Sequence, residues 1–366
     1  MNEYIKASEL SNFLVSKFYN FESHYQNCFA YAKKALNKKN LNISFEIDLL
    51  DWRLTAKALK LKQDGDSYKV VISQGFLIRL ALLTYALMPV SRDQDGDVFF
   101  TSFSVCDVFA LTRSTTLNPY DFGSQDKERM SKFLQVLFFD AKDAEQFWAS
   151  IEKYWDNAFY RSFAISPSTY IPFFWVFDII VYHEMSHILL NHLEVDLSSV
   201  DYSERRFMEG HADFYAAKLL TLSVIPIGKY FNDKIITDEL KANLFSLGFL
   251  TNVHYALLRG ERKSLRYYGN LPHPHPDFRL RMFYLGVQAH FIENGSSPSI
   301  WQDIFEEAKL KLNESIFYLG GSGLANDMWD NCIQLGHKEG KKYYKYLDKK
   351  FKTFASGCER ISKKYL

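Results

Sequence analysis

One stretch constrains this chain more than any other. From Ile171 to Tyr182 the residues are almost all apolar ("IPFFWVFDIIVY"), and "HEMSHILLNHLE" follows with neither Gly nor Pro to interrupt it. Pro172 suits the first turn of a helix, and Ser168 or Thr169 can cap it. The pattern predicts one helix from about Pro172 to about Leu193. Its apolar half is too short to span a bilayer and carries Asp178, so it reads as a buried helix. On that helix His183 and His187 lie one turn apart on one face, where two imidazole nitrogens can meet a single tetrahedral metal ion. Glu184 lies about 100° round the helix, placed to reach a water on such a metal without becoming a ligand. The competing reading is a chance match of His-Glu-x-x-His.

A tetrahedral site open at one position needs a third protein ligand. Position 193 is Leu and position 190 is Leu, which excludes the extended motif with Gly and His at those places. His192 stands nine residues past His183, about 180° round the same predicted helix. It reads as a capping or surface histidine facing away from the metal. The better candidate is "FMEGHADFYAAKLL", from Phe207 to Leu220, which reads as a second helix packed antiparallel to the first. Glu209 and Asp213 are at i and i+4, and Gly210 and Ala212 are small enough for close approach. The reading assigns Glu209 as the third ligand and gives Asp213 the free N–H of a ligand histidine to orient. A solvated acidic face is the plain alternative for this segment taken alone.

"HEMSH" followed by "EGHAD" resembles the His-Glu-x-x-His and Glu-x-x-Ala-Asp pair of the gluzincin zinc metallopeptidases, and among them the M48 family. The stretch "LPHPHPDFRLRMFYL" is similar to that family's His-Pro followed by Arg six residues after the His. His275 and Arg281 fit the spacing, and the resemblance places them near the reacting carbonyl. His273 and Arg279 form a second register of the same spacing, which is set aside because Met282 and Leu285 continue the pattern from His275. The short gap between the first two motifs also resembles the Lit-type phage-exclusion peptidases and the ImmA/IrrE-type regulatory peptidases. The resemblance covers about a third of the chain. It implies one Zn2+ held by His183, His187 and Glu209, with Glu184 as the base that activates a water, and a protein or peptide as substrate. It also implies a zincin-like core in an α+β, predominantly helical chain, with a small antiparallel sheet beside the active-site helix. Enzymes of this class commonly bind substrate as an added strand, and "YKVVIS" is the segment nominated as the receiving edge, with an ordinary internal strand as the alternative.

The rest of the chain narrows the setting. Its 366 residues can bury a large core, and the formal net charge of +1 gives no overall attraction to nucleic acid. Cys28, Cys106, Cys332 and Cys358 are scattered without a Cys-x-x-Cys, which argues against a thiolate zinc site and a disulfide framework. With no signal-peptide pattern and no transmembrane run, the expected location is cytoplasmic. "NISFEIDL" alternates like a strand, and "RLTAKALKLKQDGDSYKVVISQG" reads as a hairpin turning at Asp64-Gly65. Asp93, Asp95 and Asp97 have calcium-loop spacing but lack that loop's Gly and its terminal Glu, so a solvated turn is the reading. Phe147, Trp148, Ile151, Tyr154, Trp155 and Phe159 form a helical stripe read as core.

From Lys338 to Lys352 seven lysines face Glu339 and Asp348. A packed terminal helix with a solvated basic face is preferred there to a weak membrane-surface contact or RNA binding. Approximate divisions follow: 1–75 with strands of the catalytic sheet, 76–165 as a helical insertion shaping the cleft, 166–290 as the zinc-binding core, and 291–366 as a C-terminal helical region. A single compact domain is the alternative. The expected activity is that of a metalloendopeptidase. The two rivals are a regulatory or host-defence protease with one protein target, and a catalytically silent binding module of the same fold.

Overall fold

The computed structural model describes residues 22–38, 40–61, 66–87, 90–92, 98–100, 143–155, 170–195, 200–224, 238–259, 276–294 and 299–318, with isolated positions that include 273 and 274. The chain is mostly helical with a small sheet, an α+β arrangement. A first helix α1 (Glu22–Ala35) leads into β1 (Asn42–Asp48), β2 (Ala56–Lys60) and β3 (Ser67–Ser73). Helix α2 (Gln74–Leu87) follows directly. A separate two-stranded ribbon of β4 (Val90–Arg92) and β5 (Val98–Phe100) comes before α3 (Ala144–Trp155). The helices α4 (Tyr170–Leu189), α5 (Tyr202–Val224), α6 (Asp238–Arg259), α7 (Pro276–Glu293) and α8 (Ser299–Tyr318) complete the described elements.

The three-stranded sheet has the order β1-β3-β2. β1 runs parallel to β3, with Phe45 opposite Val70, and β2 runs antiparallel to β3, with Ala58 opposite Val70. The sheet is therefore mixed where an antiparallel one was expected. The hairpin expected over β2 and β3 is present, while its turn at Asp64-Gly65 lies outside the described residues. The strand nominated as the edge, "YKVVIS", is the central one. Burial explains this: Val70, Val71, Ile72 and Ser73 are all buried, as suits a strand covered on both faces. The strand "AKALK", β2, is one of the two edges, and Lys57 and Lys60 blunt it in the usual manner.

That edge has a definite polarity. Ser73 N–H donates to the Thr55 carbonyl, and Leu61 N–H donates to the Ser67 carbonyl. In an antiparallel pair the residues that bond across alternate with those that do not. Thr55, Lys57, Leu59 and Leu61 thus turn their backbone groups towards β3, and Ala56, Ala58 and Lys60 turn theirs outward. No strand among the described residues covers this outer side.

A continuous core runs from Tyr25 to Leu312, taking residues from every one of the four divisions drawn from the sequence. Helix α4 lies at its centre, with Val176, Phe177, Val181, Tyr182, Met185 and Leu189 buried. This is what an apolar run without a polar face requires. The described part of the aromatic stripe agrees with a core role: Phe147 is buried and packs 5.3 Å from Trp52, while Arg79 lies over the Phe147 ring and donates to the Trp52 carbonyl. Gly286 sets the distance between α5 and α7, since a Cβ there would run into the Phe214 carbonyl. No described helix is long and apolar enough to cross a membrane. The Asp93–Asp97 turn and the lysine-rich segment 338–352 lie outside the described residues.

Candidate metal centre

Helix α4 ends four residues before the sequence pattern suggests. Leu190 and Asn191 close the helix by backbone bonds to Ser186 and Ile188, and Asn191 adopts the left-handed conformation, φ 58°. Asn accepts that conformation more readily than most residues and often ends helices. The chain then reverses into a short 3-10 turn, His192–Glu194. Glu194 pins this turn to the sheet, its carboxylate accepting from Lys60 Nζ at 2.6 Å and Tyr68 Oη at 2.7 Å.

The reversal corrects the reading of His192. It does not face away on the far side of the helix. It is buried, and its Nδ1 lies 3.0 Å from the Nδ1 of His187. On the other side of the helix, His183 Nδ1 lies 2.8 Å from Asp213 Oδ1. Both histidines thus have Nδ1 engaged, and their Nε2 atoms converge to 3.1 Å. Glu209 of α5 faces the same point, with Oε2 3.5 Å from His183 Nε2 and Oε1 3.6 Å from His187 Nε2.

These separations test the fit of a metal. Zinc bonds of 2.0–2.1 Å at tetrahedral angles put neighbouring ligand atoms roughly 3.4 Å apart. The three observed distances bracket that value, so the His183–His187–Glu209 cluster can hold a metal ion. The electrostatics suit a cation as well. Burial opposes ionisation of Glu209, yet hydrogen bonds from His183 and His273 and the nearby positive charges hold its carboxyl well below the usual range. Burial also opposes charge on His183, but the Asp213 carboxylate and Glu209 outweigh it and lift the imidazole to about 9. The cluster attracts positive charge at Nε2, as a proton or as a metal. His187, by contrast, is held neutral by burial, its pKa pushed down to about 4.

Glu184 lies beside this cluster without joining it. It lines the same cleft, and burial pushes its carboxyl up, while the neighbouring His183 partly offsets the rise.

The third motif enters through its other register. Arg279, near the start of α7, forks onto Asp213, with Nε 2.8 Å from Oδ2 and Nη2 2.9 Å from Oδ1. Its Nη2 also lies 3.2–3.3 Å from both ring nitrogens of His183. His273 places Nδ1 3.2 Å from Glu209 Oε2. Arg281, the residue preferred from sequence, stands two positions further, about 200° round the helix, and is not among the residues that line the cleft. The preferred His275 lies outside the described residues. Two further groups complete the surroundings. Tyr255 of α6 donates its hydroxyl to Asp213 Oδ1 at 3.0 Å, and His254 beside it lines the cleft. Neither has a motif around it in the sequence.

The cleft has a volume of about 560 Å3 and runs between the β2 edge, α4 and the start of α7. No family model, curated protein or solved structure matches this chain.

Proposed function

We propose that this chain is a zinc-dependent endopeptidase. The observation that carries the reading is the convergence of three ligand atoms at tetrahedral spacing with a buried carboxylate, Glu184, next to them but outside the ligand set. A purely structural zinc site is closed by four protein ligands, whereas a catalytic one keeps a position open. His183, His187 and Glu209 would hold the ion, and a zinc there supplies Lewis acidity that polarises a carbonyl and acidifies a water.

The protein's own residues do the rest. Asp213 fixes His183 with its proton on Nδ1 and Nε2 turned to the metal, and His192 does the same for His187. Arg279 and Tyr255 hold the Asp213 carboxylate in place. Glu184, raised by burial, is suited to take the proton of the attacking water and deliver it to the leaving amine. The outward groups of Ala56, Ala58 and Lys60 offer an extended polypeptide main-chain hydrogen bonds, which suits substrates recognised with little regard to side chain along that edge. Arg279 and His273 take the place near the reacting centre that the resemblance to M48 peptidases gives to His275 and Arg281.

The direct test is hydrolysis of an unfolded protein such as reduced casein by the purified chain. Cleavage that a chelator stops and added zinc restores is the expected result. No cleavage by folded protein carrying one zinc per chain counts against the reading.

A further inference from the structure

The two edges of the sheet are finished differently. On β1, side chains take up backbone groups: Gln26 Nε2 donates to the Ile43 carbonyl at 2.8 Å, and the Ile47 N–H donates to Tyr19 Oη at 3.4 Å. β2 borders the cleft instead, with Lys57 and Ala58 among the lining residues. Ala56 and Ala58 pack against the core, so Lys57 and Leu59 project from the opposite face of the sheet. Both are exposed, Leu59 by 40%.

The lysines of these strands are not equivalent. Of the three on β2 and β3, Lys60 is paired with Glu194 and Lys69 with Glu46, each at 2.6 Å. Lys57 stands opposite Val71 and forms no ion pair among the described residues. A strand laid on this edge would cover it. Lys57 and Leu59 turn their backbone groups to β3, so an incoming antiparallel strand meets each as a non-hydrogen-bonded pair. In such pairs the Cα atoms approach to about 4.5 Å and the side chains lie closest. Opposite charges facing each other across strands stabilise the pairing, and like charges weaken it. An edge lysine that repels strands in general thus accepts one that brings a carboxylate.

We propose that Lys57 and Leu59 select the polypeptide that this edge takes, with an acidic side chain opposite Lys57 and an apolar one opposite Leu59. The proposal rests on the reading of β2 as the strand that receives substrate. Antiparallel pairing is the more stable of the two senses. In that sense the residue opposite Leu59 comes two positions before the one opposite Lys57. The preferred segment therefore reads apolar-x-acidic from its N-terminal side, and a basic residue in the last place is rejected. Covering the exposed Leu59 with apolar surface removes both from water. Lys60 takes no part in the choice, since it lies on the other face and Glu194 holds it.

Three threonine-rich peptides with Leu-Thr-Asp, Leu-Thr-Lys or Asp-Thr-Leu at their centre test this. Binding is measured by fluorescence anisotropy on the full chain carrying Glu184→Gln, which spares the peptides from cleavage, with and without Lys57→Glu. Thermal unfolding shows that both proteins are folded. The Leu-Thr-Asp peptide should bind at least about threefold more tightly than the Leu-Thr-Lys peptide, by a margin that shrinks as salt rises. The Asp-Thr-Leu peptide has the same composition and charge as the first and should bind more weakly. Lys57→Glu should invert the ratio of the Asp and Lys peptides. Equal binding of those two, a ratio unchanged in folded Lys57→Glu, or Asp-Thr-Leu binding as tightly as Leu-Thr-Asp overturns the proposal, as does failure of all three to bind. Casein hydrolysis by the wild type is scored separately. Cleavage without the binding preference removes this proposal alone, and the preference without cleavage contradicts the peptidase reading alone.

Discussion

The carboxylate of Asp213 accepts the Nδ1–H of His183 across 2.8 Å. This bond decides which imidazole nitrogen is left for a metal, and the same carboxylate also holds Arg279. Asp213→Asn should therefore weaken zinc binding about 10–100-fold in a chelator competition, because an amide does not hold the tautomer as a carboxylate does. Asp213→Ala should also lower stability by about 3–5 kcal/mol in a denaturant titration, since it strands the buried Arg279 charge. Equal zinc affinity in Asp213→Asn and wild type would show that the bond does not orient the ligand.

Glu209 and His192 should separate on the same assay. Glu209→Ala removes a ligand, so stoichiometric zinc at micromolar free metal should be lost. His192→Ala removes only the partner of His187 Nδ1, and a loss of about 10–100-fold is expected. A greater loss from His192→Ala than from Glu209→Ala would overturn the ligand assignment.

Asp178 lies behind the site, buried in α4. Burial pushes its carboxyl up to about 8. Below roughly pH 4 the folded and unfolded chains both carry the proton. As pH rises from there the unfolded chain ionises and the native one does not, so this residue's contribution to stability declines until about pH 8. Asp178→Asn cannot ionise and should flatten that part of the profile, gaining on wild type between pH 5 and pH 8 in parallel urea titrations. Parallel profiles for the two proteins would show that Asp178 is ionised in the fold.

Gly286→Ala tests the packing that brings Arg279 to Asp213. The added methyl meets the Phe214 carbonyl, and overpacking of this kind costs about 1–3 kcal/mol. A lower thermal midpoint with weakened zinc binding is expected. An unchanged midpoint would mean that α5 and α7 have room to separate.

The parts of the site set by helical periodicity were legible in the sequence. His183 with His187, and Glu209 with Asp213, are i and i+4 pairs, and a helix leaves their relation little freedom. What escaped depended on where elements end and how they assemble. His192 was misplaced because Asn191 ends the helix, and an Asn before a polar turn was the available signal. His273 with Arg279 and His275 with Arg281 share one spacing, and only the packing of α7 against α5 brings Arg279 rather than Arg281 to Asp213. The order of strands is a tertiary fact, although the lysines of "AKALK" against the apolar "VVI" pointed to which was the edge. His254 sits alone in an apolar run, with no spacing to single it out.

The central claim is that Glu184 serves chemistry and not metal binding, and one paired measurement tests it most directly. Wild type and Glu184→Gln are expressed in the same cells, new protein termini are compared, and zinc is measured on both purified proteins. Glu184→Gln keeps the size of the side chain but cannot take a proton from water, so cleavage should fall about 10²–10⁴-fold while zinc stays at one per chain. Identical sets of termini from two folded, zinc-loaded proteins would contradict the account.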